Sequence, residues 1–143
     1  MINLTPHTTP HVFVYGTLKP GGRYHSVAQR GGRFTSQEAF IEGFTLYHLE
    51  PEDYPAITRF EGTRGQGKVY GNVFTFENIE QALPFLDELE GCHWDPPEYE
   101  RIKTTAYPLD EEVWAYLYLD EERLEGPGVT RLENGLWRVD LHS

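Results

Sequence analysis

Residues 68–76, KVYGNVFTF, set Val69, Gly71, Val73 and Thr75 against Tyr70, Asn72, Phe74 and Phe76. A period of two is the repeat of an extended chain whose successive side chains point to opposite faces, so this stretch is a strand. Similar runs recur along the chain. His11–Tyr15 is a first strand, and residues 39–49, AFIEGFTLYHL, form a second apolar and aromatic run in which Gly43 marks a bend or bulge. Tyr99–Thr105 and Glu112–Leu119 fit two more, and the tail around NGLWRVDL supplies a turn and a last short strand. PEDYPAI, between the second and third runs, reads as a proline-punctuated loop. Five or six strands of this kind beside one strong helical segment predict a twisted sheet curled into a barrel or half barrel.

The helical segment is NIEQALPFLDELEG, residues 78–91. Asn78 caps its start and Gly91 its end, while Pro84 either kinks it or opens a second, shorter helix. At 100° per residue Ile79, Ala82, Leu83, Phe85, Leu86 and Leu89 gather on one face. Glu80, Asp87 and Glu88 fall roughly 125° to 145° from its centre, on the solvated side, whereas Glu90 falls only about 65° away. A carboxylate at a core edge is costly unless it is hydrogen-bonded, neutralised or functional. The wheel therefore leaves two readings of Glu90: a rim residue whose stem covers apolar surface, and a functional acid.

At 143 residues the chain is one domain of common size, expected over 12–143 after a flexible leader, 1–11. That leader, MINLTPHTTPH, has neither the basic start nor the apolar core of a signal peptide. A formal charge of −11 argues against nucleic acid and anionic membrane as partners, because counterion release needs clustered Lys and Arg, and leaves a basic partner open. No stretch approaches the length of a membrane span. The single cysteine, Cys92, has no internal disulfide partner, which fits a reducing cytoplasm.

The most distinctive segment is VFVYGTLKPGGRYH, residues 12–25, where a strand runs into a glycine-rich loop. Gly16 and Gly21 reproduce the opening of a Walker A loop, but Gly22 and Arg23 stand where that motif needs Lys and Ser or Thr. What survives is either a plain tight turn or a set of amides aimed at a small anionic or carbonyl group. Other catalytic constellations are thin. Ser26, Ser36 and Ser143 lie in no G-x-S-x-G elbow. Cys92 and His93 are adjacent and do not face each other as nucleophile and base must. The six histidines show no zinc-binding spacing.

VYGTLKPGGRYH, then YPAI before GKVYGNVF, then LDELEG followed by YER, WAYLY and a late NGLW resemble, in their order and spacing, the γ-glutamylcyclotransferase-like family. The likeness covers roughly residues 12–138 and is strongest to the γ-glutamylamine cyclotransferase and AIG2-like branch. It implies an α+β fold, a mixed, mostly antiparallel β-barrel with few helices, often dimeric in relatives, so that a homodimer is expected. It also implies an enzyme that needs neither metal nor cofactor and converts a small-molecule γ-glutamyl substrate into 5-oxoproline and a free amine. The family's glutamyl-binding Tyr-Gly-Ser/Thr-Leu loop falls on Tyr15, Gly16, Thr17 and Leu18, and its catalytic glutamate on Glu90. The tyrosine that its late strand presents near the substrate falls on Tyr118. By strand alternation Tyr99 and Arg101 share a face after the helix, which leaves two readings, the favoured one that they brace the turn of Glu90 and the other that they touch the ligand. CHWDPPE, which follows Glu90, has no counterpart in the family pattern and borders the expected pocket mouth.

The chemistry suits these residues. In a γ-glutamyl amide the α-amine reaches its own side-chain carbonyl through a five-membered ring, and holding that conformer is worth on the order of 7 to 11 kcal/mol. One carboxylate can take the proton from the attacking ammonium and return it to the leaving amine. A glutamate near an apolar face fits, because desolvation moves a carboxyl group's pKa upward toward the working pH. Amides of the Gly16–Leu18 turn hold either the α-carboxylate or the developing oxyanion. Two rival functions use the same scaffold: a non-catalytic module that binds a small ligand or a protein, and amide cleavage of another γ-glutamylated metabolite.

Overall fold

Val12, Phe13, Val14 and Tyr15 are all buried, so the first strand is covered on both faces and reads as an unbroken apolar run. A computed structural model of the chain describes residues 9–16, 30, 32–50, 54–59, 67–89, 91–92, 97–132 and 135. In it β1 (His11–Val14), β2 (Phe34–Ile41), β5 (Val69–Phe76), β6 (Tyr99–Tyr107) and β7 (Glu111–Tyr118) form a barrel in the order β1-β5-β2-β6-β7. Four of its pairings are antiparallel. A parallel contact at Val12 and Trp114 closes β1 onto β7. β3 (Phe44–Leu49), β4 (Tyr54–Arg59) and β8 (Val129–Arg131) make a second sheet in the order β4-β3-β8. With helices α1 (Ile79–Leu89) and α2 (Glu121–Leu124), this is the expected mostly antiparallel α+β barrel with few helices.

Strand alternation divides the core in two. Phe13, Ile41, Val69, Val73, Val113 and Ala115 join one cluster with Leu46 and Ile57 of the second sheet. The opposite faces of the same strands, Val12, Val14, Phe74, Phe76, Tyr116 and Tyr118, pack with Ile79, Ala82, Leu83 and Leu86 of α1. Fully buried aromatic anchors such as Phe13 and Phe74 each contribute about 1.5–3 kcal/mol through burial. Both faces of β7 are therefore core.

Three elements differ from the sequence expectation. Residues 39–49 are not one strand: the chain turns at Glu42 and Gly43, sending β2 into the barrel and β3 into the second sheet. β2 also starts earlier, at Phe34, through an exposed polar stretch paired with β5. PEDYPAI is no simple loop, because Tyr54 onward forms β4 against β3. β4 is an edge strand, where a proline's missing N–H breaks no ladder. A single helix spans Pro84, so no second helix opens there. Asn78 caps α1 as expected, its side-chain oxygen accepting from the Gln81 amide at 3.2 Å.

Of the expected leader, residues 1–8 lie outside the described residues. Thr9 is tied to β7 through the Glu112 carbonyl and the Trp114 indole, and the Pro10 carbonyl accepts from the Phe76 amide. No described helix is long and apolar enough to cross a membrane.

Candidate active site

The end of α1 is built by Gly91. Its amide donates to the Glu88 carbonyl at 3.2 Å, and the Cys92 amide donates to the Asp87 carbonyl at 3.0 Å. This 5→2 and 6→1 pair is a Schellman motif with Gly91 at the residue after the cap, where a left-handed backbone is needed, and its φ is 68°. Gly91→Ala is expected to lose about 1–2 kcal/mol of stability, because an L side chain is strained in that conformation. Thermal melting checks this, and an unshifted midpoint would mean that the turn has relaxed elsewhere.

Asp87, at the start of that turn, is the one buried charged residue among those described, 8% exposed. The Arg101 Nη1 donates to its Oδ2 at 2.8 Å and the Tyr116 hydroxyl to its Oδ1 at 2.7 Å. The helical wheel had put Asp87 on the solvated side. Phe85, counted there as core, is 40% exposed, and removing it rotates the buried face toward Asp87. The face actually buried runs Ile79, Ala82, Leu83, Leu86, Asp87, the i, i+3, i+4, i+7, i+8 positions of a single helical stripe.

Both donors follow from strand register. Arg101 on β6 is the direct cross-strand partner of Tyr116 on β7, so their side chains leave the same face side by side. Arg101 also lies over the Trp114 ring, 4.8 Å from its centroid, which limits the freedom of the guanidinium. A carboxylate this buried is tolerated because both oxygens are bonded, one of them to a cation.

Tyr15 reaches the same place from the other side, its hydroxyl donating to the Tyr116 carbonyl at 2.7 Å. Tyr116 thus bridges the first residue of the glycine-rich loop and the end of α1. Next to it, Gly16 lies against Pro55: a Cβ built on Gly16 comes within 2.1 Å of the Pro55 Cγ. The Pro55 carbonyl accepts from the Tyr99 hydroxyl at 2.7 Å, and Tyr99 packs edge-on against its cross-strand partner Tyr118 at 5.1 Å.

Of the residues singled out from sequence, Tyr15 is bonded to Tyr116, Gly16 lies against Pro55, and Tyr118 is linked to Pro55 only through Tyr99. Thr17, Leu18 and Glu90 lie outside the described residues, as do residues 93–96 of the segment after the helix. Arg101 braces the helix end through Asp87, while Tyr99 binds β4 instead. Asp87, Tyr116 and Pro55 were not expected at this site. The signal for Asp87 was present in the i, i+3, i+4 spacing, but Pro55 joins the site through contacts with Gly16 and Tyr99, distant in sequence, that no local pattern reports.

Comparison with known proteins fits this arrangement. Residues 12–139 match the family described as gamma-glutamyl cyclotransferase, AIG2-like. A gamma-glutamylaminecyclotransferase of Bos taurus is 32% identical over 138 residues, covering 80% of this chain and 76% of that protein. One of Rattus norvegicus is 34% identical over 106 residues, covering 71% of this chain and 66% of its own. The crystal structure of an AIG2-like protein from Mus musculus superposes with a TM-score of 0.65 at 23% identity, over 92% of this chain and 90% of that one, a likeness of fold. A fold of this kind, a tyrosine–glycine turn beside the capped end of α1, and a family match over nearly the whole sequence place the chain in the gamma-glutamyl cyclotransferase, AIG2-like family.

Proposed function

We propose that the protein is a γ-glutamyl cyclotransferase that releases 5-oxoproline and a free amine from a γ-glutamyl amine or a related γ-glutamyl compound. The observation that carries this reading is the bridge at Tyr116, which links Tyr15, at the start of the glycine-rich loop, to Asp87 near the end of α1. The names of the bovine and rat relatives supply the substrate class. Glu90 follows Leu89, the last residue of α1, in the sequence.

In the proposed reaction the α-amine nitrogen attacks the γ-carbonyl carbon, the ring closes, and the bond from that carbon to the leaving nitrogen breaks. Glu90 takes one proton from the α-ammonium before attack and a second from the ring nitrogen as it closes, passing both in turn to the leaving nitrogen, which departs as an ammonium, so the carboxylate is regenerated and no other reactant is consumed. The loop that starts at Tyr15 and Gly16 holds the glutamyl end, and no protein nucleophile is required.

The test is release of 5-oxoproline from a panel of γ-glutamyl amines and γ-glutamyl dipeptides. Turnover of at least one member, with 5-oxoproline and the amine in equal amounts, is the expected result. Binding of a panel member without product would favour a non-catalytic binding module, and release of free glutamate in place of 5-oxoproline would favour simple amide cleavage.

A further inference from the structure

We propose that Asp87 is a positioning residue, holding the turn that carries Glu90 at a fixed place relative to the glycine-rich loop; this rests on the cyclotransferase reading above. Asp87 is fastened twice. Its side chain is bound to the barrel by Arg101 and Tyr116, and its main-chain carbonyl accepts the Cys92 amide, which closes the turn around position 90. The Gly91 amide, bonded to the Glu88 carbonyl, ties the same turn a second time. The chain before and after position 90 is therefore tied to Asp87, by its carboxylate to the barrel and by its main-chain carbonyl to Cys92.

The anchor points themselves have little freedom. Arg101 and Tyr116 are opposed residues of an antiparallel ladder, so the sheet sets their separation. Tyr116 adds the second half of the linkage. Its hydroxyl donates to Asp87, and its carbonyl accepts from the hydroxyl of Tyr15, the residue that leads into the loop. A continuous chain of hydrogen bonds, Tyr15 to Tyr116 to Asp87 to Arg101, thus joins the two parts that a ring closure needs in register. Displacing a reacting group by about 1 Å can cost on the order of a hundredfold in rate, so a network of this kind acts on turnover more than on binding.

Tyr116→Phe removes one hydroxyl and keeps the ring and the main-chain carbonyl, and Asp87→Asn keeps the shape of the side chain. Turnover is expected to fall about tenfold in Tyr116→Phe and about 10- to 100-fold in Asp87→Asn, with KM within about twofold of wild type. Rates are measured as 5-oxoproline release at a temperature where melting curves show each variant fully folded. The decisive measurement adds Asp87→Asn to Glu90→Gln. If Asp87 acts through Glu90, the double variant is no slower than Glu90→Gln alone. Losses that multiply, or wild-type kcat in both single variants, overturn the proposal. Should Asp87→Asn not fold, Tyr116→Phe combined with Glu90→Gln runs the same cycle. Failure of the underlying reading looks different: Glu90→Gln would then itself turn over like wild type, and the positioning role would fall with it.

Discussion

Glu90→Gln is expected to keep its fold and its affinity for γ-glutamyl ligands while losing about a hundredfold to ten-thousandfold in kcat, the usual cost of removing general acid–base help. Glutamine has the size of glutamate but accepts no proton from the attacking ammonium. The position lies between Leu89 and Gly91, whose turn is held by main-chain hydrogen bonds that do not depend on the side chain at 90. Glu88→Gln is the matched control. Glu88 is exposed, and only its carbonyl takes part in the turn, so this variant should turn over and melt like wild type. The comparison needs 5-oxoproline release, ligand binding and melting on the same preparations. Equal turnover in both variants would sink the assignment of Glu90, and a collapse of melting confined to Glu90→Gln would make it a structural residue.

Strands with a regular alternation or an unbroken apolar run were legible in the sequence. β5 shows its period of two, and β1 is short and apolar throughout because it is buried on both sides. Segments whose structure is imposed from a distance were not. The polar first half of β2 becomes a strand because β5 pairs with it from Phe34 onward, while its side chains Thr35, Ser36, Gln37 and Glu38 stay exposed. β4 looked like a loop because prolines usually end strands, and only its place at the sheet edge allows Pro55 there. Asp87 was misplaced for a related reason. A wheel weighted by hydrophobicity counts every apolar side chain as core, and one exposed residue, Phe85, was enough to turn the apparent face away from a charged residue that the core accepts. Hydrogen-bond partners that make a buried carboxylate tolerable come from β6 and β7, more than ten residues along the chain, and leave no local mark.

Gly16→Ala is expected to be among the most destabilising single changes, for a reason that differs from the one read in the loop's sequence. There the glycine belonged either to a plain tight turn or to a set of amides aimed at a small anionic or carbonyl group. In the folded chain the Cβ position points into Pro55, 2.1 Å from its Cγ and 2.7 Å from its Cδ, and a buried proline ring cannot swing aside as a flexible side chain does. Overpacking of this kind costs about 1–3 kcal/mol or more, and the melting temperature of Gly16→Ala should fall by roughly 5–10 °C. Pro55 itself provides the test. Its Cβ is 3.4 Å from the added methyl, an acceptable contact, so Pro55→Ala removes the two obstructing atoms and leaves the third. The double variant Gly16→Ala with Pro55→Ala should regain most of the lost stability, a coupling that independent sites do not show. Its activity then separates the two roles of the glycine. Restored melting with restored KM assigns Gly16 to packing under β4 alone, whereas restored melting with a KM still raised means that the loop backbone also approaches the substrate. A Gly16→Ala protein that melts like wild type would show that the loop is free to move away from Pro55.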